Sequence, residues 1–336
     1  MRPLVTARGV WPVREGLVVR LSDADGRVGF GEAAPIPGFS QETPTRDYAW
    51  LRSAPDEMTP AELRHVPERL ACLRWALFCA QEMMAGRLKP PAKVRKLPMA
   101  ALLPAGRAAV AALAERKKAG YCVFKWKIGL ESPPQEFSLL EKLLAELPKG
   151  GRLRLDANGA LGRREWAAWC DGLNALGPSA QAIEFFEQPL PSATGTVAWR
   201  EQKRLAAVAP VPVALDEGVA GWSNQKCAHA VRWPGPLVVK PSLLGDGEEF
   251  LHWRTKTGAD LVYSSAFETS VGLQAALCLA AGDPQVGRRA LGFGALDAFA
   301  RDGLQLPAHA PGPTLALRAL AADDFLEAWN RLARGI

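Results

Sequence analysis

The sequence predicts an α/β protein: a closed barrel of parallel strands ringed by helices, preceded by a smaller α+β segment. Short runs rich in Val, Leu, Ile and Phe recur along most of the chain, each closed by Gly, Pro, Asn or Asp, as strands buried on both faces do. Five of these runs end in a charged residue: Lys127 in FKWKIG, Asp156 in RLRLDANG, Glu187 in IEFFEQP, Asp216 in PVALDEG and Lys240 in LVVKPS. Their intervals are 29, 31, 29 and 24 residues. A strand, a helix and two loops occupy roughly 30 residues, so each interval brings the chain back to the same end of a parallel sheet. Residues 1–96 do not follow that rhythm.

Within 1–96, GLVVRLSDADGRVGFGEAAP reads as two strands about the turn signal DADG. Thr59 to Gly86 reads as one helix, with Cys72, Trp75, Ala76 and Cys79 as its apolar stripe. The barrel begins at Leu97. LPMAALLP is its first strand and Ala105 to Gly120 its first helix, closed by a glycine suited to a C-cap. YCVFKWKIG and a helix from Pro133 to Leu147 follow. RLRLDANG, AIEFFEQP, VPVALDEG, LVVKPSLLG and DLVYSSAFE supply strands three to seven, and RRALGFGAL (288–296) the eighth. Right-handed crossovers through eight such strands give a β/α barrel. The expected division is 1–96, an α+β domain; 97–296, the barrel with the active site; and 297–336, a return that completes the first domain.

Composition excludes several classes. The 336 residues are 48% hydrophobic, enough for a large core, yet no run is apolar over the ~20 residues that a membrane helix needs. MRPLVTARGVWPVREGLVV alternates like a strand and lacks the apolar core and cleavage site of a signal peptide. Six cysteines (72, 79, 122, 170, 227 and 278) form no CxxC and read as reduced core residues of a cytoplasmic protein. The net charge of +6 comes from scattered Lys and Arg, with no run longer than RKK or KVRK, so nucleic acid is not expected as a partner. No membrane partner is expected either, and the chain is taken as a monomer or weak homo-oligomer acting on a small molecule.

Strand period two decides what faces the barrel axis. Lys125 and Lys127 share the inner face, and Trp126 points to the helices. Arg154, Asp156 and Asn158 are inner, as are Phe185 and Glu187, Asp216, and Val238 and Lys240. Charged strand ends in a closed barrel meet at one mouth. Three carboxylates, completed by water and a substrate carboxylate, are what Mg²⁺ prefers. Such a metal makes the carbon beside the bound carboxylate more acidic, and a flanking lysine serves as base once its pKa falls towards ~7–8. A neighbouring cation such as Lys125 and a dry site push that way. Taken singly, Asp156 could be a helix N-cap and KxK a solvated face. Lys240 inside an apolar strand is costly without a purpose, and five charges in register have no common structural explanation.

The KxK, DAN, EQP, DEG and VKP series resembles the enolase superfamily, in which a Lys or His base works beside Mg²⁺. Lysines after strands two and six resemble its muconate-lactonizing subgroup. The histidines (65, 229, 252 and 309) do not match the His–Asp pair of mandelate-racemase-type members. GFGEAAPIPGFSQET (29–43) is similar to the active-site loop of the o-succinylbenzoate synthase family, typically GE-x-x-P-L-P-G-F-S, with Ile36 in place of Leu. SSAFETSVG (264–272) resembles that family's seventh-strand motif, and GFGALD lacks the DxD that dipeptide epimerases carry after strand eight. The resemblance spans essentially the whole chain and implies an enolase-type modified (β/α) barrel with an α+β capping domain.

It also implies a Mg²⁺-dependent hydro-lyase: syn-dehydration of the dicarboxylate 2-succinyl-6-hydroxy-2,4-cyclohexadiene-1-carboxylate to 2-succinylbenzoate, towards menaquinone or phylloquinone. Asp156, Glu187 and Asp216 would hold the metal, Lys127 would be base and then acid, and Lys240 would stay cationic on the opposite face. Arg154 is either a substrate-carboxylate contact or an ion pair inside the barrel. Ser264 and Ser265 are either donors to the succinyl group or caps of the following helix. Lys125 contributes electrostatics, and Glu217 supports the ligands from behind. Two other readings remain at this stage: racemisation of N-succinylamino acids or a related epimerisation at the same site, and a non-catalytic barrel, which a missing base or ligand would betray.

Overall fold

Short strands of two to five residues form a parallel ring in the computed structural model of the chain. It describes all residues except 1–3, 7–8, 38–39, 41, 92–95, 194, 220–231, 295–303, 307–308, 310–311, 319 and 335–336. Ala100–Leu103, Val123–Lys127, Arg152–Asp156, Ile183–Glu187 and Val213–Ala214 lie side by side in chain order in one parallel sheet. Leu237–Val239 pairs in parallel with Leu261–Tyr263. Single parallel bridges complete the circle, from Leu215 to Leu237, from Ser264 to Gly292 and from Leu291 to Met99. Backbone bonds confirm each closure: Val238 N donates to Leu215 O at 2.7 Å, Gly292 N to Tyr263 O at 2.7 Å and Ala100 N to Leu291 O at 2.9 Å. The eighth strand is shorter than the expected 288–296, with only Leu291 and Gly292 bridged among the described residues. Glycines at 292 and 294 offer little to a ladder.

Alternation separates the two sides of each strand. Trp126, Leu153, Leu155 and Phe186 are fully buried towards the outer helices, whereas Phe185, Ala214, Val238 and Val262 form their own cluster inside the ring. The helices between strands follow their local signals. Pro133–Glu146, for example, starts at Ser132 with a capping box to Gln135 and proline in its first turn.

The N-terminal part is a hairpin, Leu17–Ser22 against Val28–Ala33, laid on the helix Ala71–Met84. Gly29 and Gly31 make this contact possible, since a Cβ on either would lie 1.9 Å from Ala80 O or Ala76 O. The helix expected over 59–86 is interrupted: Pro60–Leu63 is one short turn, and the long helix starts only at Ala71. Pro67 explains the break, because it lacks an N–H and turns the preceding residue away from helical angles. A helix that the hydrophobic pattern did not reveal, Pro44–Ser53, begins at Thr43, whose hydroxyl accepts from Arg46 N. Near the other terminus, Thr314–Ala316 pairs with Lys96–Pro98, and the helix Asp323–Ala333 sets Phe325 and Trp329 against Phe30 at 6.3 and 5.9 Å.

The capping core reaches over the barrel. Ala33, Ile36, Cys72 and Leu73 cluster with Leu243 and Ala266, which follow the sixth and seventh strands. Cys72, Cys79 and Cys278 are buried free thiols. Cys122 is exposed and Cys170 half-buried, so these two are not core residues, and Cys227 lies outside the described residues. Among the described residues, no helix is long and apolar enough to cross a membrane.

The close approach of hairpin and helix sets a stability test. Gly31→Ala should cost about 3 kcal/mol in urea unfolding, since the new methyl overlaps backbone that cannot yield. Gly162→Ala, whose Cβ would meet only the Glu165 side chain at 3.4 Å, should cost less than about 1 kcal/mol. Equal costs would contradict the packing described.

Candidate active site

Parallel register brings the charged strand ends to one level. Lys127 pairs with Asp156, Asp156 with Glu187, and Glu187 with Ala214, two residues before Asp216. Lys240 follows directly on Val239. Around the mouth the order is therefore lysine, three carboxylates, lysine. Lys125, one pleat lower, reaches up between two of the acids, its Nζ 2.6 Å from Glu187 Oε1 and 3.0 Å from Asp156 Oδ2. Lys127 Nζ is 2.9 Å from Asp156 Oδ2 and also donates to Asn158 Oδ1. Lys240 Nζ pairs with Asp216 Oδ1. Asp156 and Glu187 are each 1% exposed and Asp216 3%, so bulk water does little to screen these charges.

Two residues after the strand ends hold this arrangement. Asn158 takes φ +47°, a left-handed position that asparagine tolerates, and its backbone N donates to Asp156 Oδ1 at 3.1 Å. Its side-chain amide donates to Glu217 at 3.2 Å. Gln188, at φ +39°, donates to Leu190 O at 2.8 Å and accepts from Asp216 N and Gly218 N at 3.1 and 3.0 Å. It thereby ties the fourth strand end to the fifth. Sequence reading did not single it out, although it stands inside the EQP motif.

The charges do not balance evenly. Burial, and then the carboxylates of Asp156 and Asp216, push Glu187 well above the ordinary carboxylate range despite Lys125 and Lys240. Burial would raise Asp156 too, but Lys125 and Lys127 outweigh it and hold its pKa low. Burial alone would lower Lys125, yet Asp156, Glu187 and Asp216 more than offset it and keep the ammonium charged. Glu217 is raised by burial and then by Asp216 and Asp156. A raised, buried carboxylate between two others marks a place short of positive charge. Three such oxygen donors on adjacent strands fit a hard divalent cation in type and number. Among the described residues no three acidic, His or Cys side chains already enclose a common point, because each carboxylate is turned to an ammonium.

The remaining expected contacts divide. Arg154 does not serve the mouth: its Nε is 2.6 Å from Glu184, its Nη2 donates to Ala290 O at 2.8 Å, and its guanidinium lies 4.9 Å from the Phe185 ring centroid. Glu184 also holds Arg289 at 2.7 Å, at the end of the barrel lined by Val123, Arg152 and Ile183, where these strands begin. An inward side chain can run either way along the axis, and Glu184 draws this one downwards. Ser264 faces inward, buried, and donates to Gly292 O at 3.1 Å. Ser265 is spent on its own turn, donating to Glu268 and accepting from Phe267 N, both at 2.8 Å. The following helix is capped by Thr269 instead, whose hydroxyl accepts from Val271 N. In the 29–43 motif, Gly38, Phe39 and Gln41 lie outside the described residues. Ser40 accepts from Ile36 N at 3.2 Å, and Glu42 from Cys72 N at 2.7 Å.

Comparison with known proteins places this geometry. Residues 4–83 match the family described as MenC, N-terminal domain, and residues 108–233 the family described as Enolase C-terminal domain-like. The chain is 38% identical over 275 residues to an o-succinylbenzoate synthase of Thermosynechococcus vestitus, covering 80% of this chain and 81% of the relative. A crystal structure of o-succinylbenzoate synthase from Thermosynechococcus elongatus, complexed with Mg in the active site, superposes with a TM-score of 0.80 at 33% identity over 100% of this chain and 96% of that one. An N-succinyl Arg/Lys racemase from Bacillus cereus superposes with a TM-score of 0.79 over 97% and 93% of the two chains; at 16% identity it shows the fold alone.

The unequal charge balance gives a second test, run with chelator present. Asp156→Asn leaves Lys125 and Lys127 short of a buried partner and should cost about 3 kcal/mol of stability. Glu187→Gln removes the carboxylate that its neighbours disfavour and should change stability by less than about 1 kcal/mol. Thermal or urea unfolding that ranked them the other way would contradict the charge assignment.

Proposed function

The chain belongs to the o-succinylbenzoate synthase family, and from that premise we propose that it dehydrates 2-succinyl-6-hydroxy-2,4-cyclohexadiene-1-carboxylate to 2-succinylbenzoate, as a carbon–oxygen hydro-lyase. The observation that carries this is the order around the mouth: Lys127 at one edge of the three carboxylates and Lys240 at the other. A flat ring whose carboxylate is directed at Asp156, Glu187 and Asp216 would have one lysine on each face. When bound there, Mg²⁺ supplies positive charge to the substrate carboxylate and makes the adjacent C–H more acidic. The Mg reported in the Thermosynechococcus elongatus synthase structure supports this cofactor.

The chain's own residues then perform the proton transfers. Asp156 and Asn158 hold Lys127 Nζ, which as a neutral amine takes the proton from the ring carbon bearing the carboxylate. Negative charge develops on that carboxylate, and the Lys240 ammonium meets it from the other face. The Lys127 ammonium returns its proton to the departing hydroxyl on the same face. Water leaves, the ring becomes aromatic and Lys127 is a neutral amine again. Lys125 remains an ammonium between Glu187 and Asp156 and offsets part of their negative charge. Ser264, inward at the end of the seventh strand and donating to Gly292 O, is our candidate contact for the succinyl arm.

The product lies on a route to menaquinone or phylloquinone, a setting supported by the N-terminal family match. The scattered basic residues favour a small-molecule substrate over nucleic acid, and we take the enzyme as cytoplasmic, without a membrane partner and monomeric or weakly associated.

An ultraviolet assay on the cyclohexadiene tests the proposal. Purified protein with Mg²⁺ should consume the diene absorbance, chelator should abolish the loss, and Lys127→Ala should lower the rate by about 10³-fold or more. Turnover of N-succinylamino acids without loss of the diene would replace the dehydratase reading with racemisation.

A further inference from the structure

Glu32 is a buried carboxylate that the mechanism above does not use. It sits near the end of the capping hairpin strand Val28–Ala33, and its carboxylate takes hydrogen bonds from across the boundary, on the barrel side. It accepts from Thr269 N at 3.0 Å, Thr269 Oγ1 at 2.6 Å and Gly272 N at 3.0 Å. These donors lie at the start of the helix Ser270–Ala281, where unpaired N–H groups and the helix dipole favour a negative charge. A helix normally finds such a partner within its own chain segment; here part of it comes from 237 residues away. Gly272 leaves room for it, since a Cβ there would lie 3.1 Å from Glu32 Oε2.

A second polar tie runs alongside. The Arg14 guanidinium donates to Pro35 O at 2.8 Å and to Ala266 O at 3.2 Å. The two ties fasten hairpin and following turn to residues 266–272, just past the inward Ser264. Between them the capping core closes on Leu243, three residues beyond Lys240, and on Ala266. The barrel mouth therefore has its cover fixed on the side of Lys240 and the seventh strand.

We infer that Glu32 is a positioning residue of the site: its carboxylate docks the capping hairpin onto the seventh-strand loop, and this docking sets how tightly the dicarboxylate ring is held. The role presupposes the dehydratase reading, but its structural half can be read without turnover. Glu32→Gln keeps the shape while placing an N–H₂ against N–H donors. In the full-length variant the amides of Thr269 and Gly272 should lose hydrogen-exchange protection, while those of Leu155 and Phe186 in the barrel keep theirs. Binding of 2-succinylbenzoate with Mg²⁺ present, by calorimetry, should weaken about tenfold or more, and KM should rise in parallel with kcat held within about threefold. Gly272→Ala, which crowds the carboxylate without removing it, should shift binding and KM in the same direction.

Unchanged affinity with lost protection, a fall in kcat at constant KM, or loss of protection throughout the barrel would each overturn the positioning role. Unaltered protein that binds no 2-succinylbenzoate and turns over no diene would sink the dehydratase reading instead, with the exchange result still deciding the docking.

Discussion

Three carboxylates and three ammonium groups share one nearly dry volume at the barrel mouth, and each is tolerable there because the others are present. An isolated carboxylate moved into such a place would protonate, and an isolated lysine would lose its proton. Pairing counters both tendencies unevenly: Asp156 is held low and Lys125 is kept charged, whereas Glu187 is still pushed well above the ordinary carboxylate range. Lys125 bridges Asp156 and Glu187, Lys127 and Lys240 each bind at an edge, and Glu187 in the middle stays the least satisfied acid. Mg²⁺ held by Asp156, Glu187 and Asp216 would answer that imbalance and would compete with the edge lysines for those carboxylates. The site's readiness for metal and its availability of lysine amines are thus two sides of one electrostatic constraint.

The barrel exists to impose that constraint, and the rest of the structure serves the barrel. Parallel register sets Lys127, Asp156 and Glu187 at one height, and left-handed backbone at Asn158 and Gln188 turns the chain sharply so that the next residues brace the last. The interior cluster of Phe185, Ala214, Val238 and Val262 fills the ring beneath, and the Arg154–Glu184–Arg289 pairing fills its far end. The capping hairpin lies flat on its helix because Gly29 and Gly31 have no side chains, and Glu32, next in the same strand, carries the charge that reaches across to Thr269. GFGE is therefore one unit, with two positions for packing and one for docking.

Much of this was legible in the chain itself. A strand's period of two makes parity decisive, so Lys127, Asp156, Glu187, Asp216 and Lys240 could be set on one inner face from the spacing of FKWKIG, RLRLDANG and their successors. The direction of a side chain along the barrel axis has no such signature. Arg154 has the right parity but turns away to Glu184, a choice made by a residue 30 positions distant. Gln188 and Glu32 escaped notice for the same reason, since each accepts from backbone N–H groups of segments distant in sequence. Pro67 was visible and carried the break in the long helix, whereas Pro44–Ser53, with Asp47 as its one fully buried side chain, has no apolar stripe to announce it.

A crystal structure of the Mg²⁺-loaded protein with 2-succinylbenzoate bound tests the central claim most directly. The ring carboxylate should lie against the metal held by Asp156, Glu187 and Asp216. Lys127 and Lys240 Nζ should approach the carboxylate-bearing ring carbon from opposite faces, within about 3–4 Å. Both lysines on one face, or a ring bound away from the three carboxylates, would contradict it.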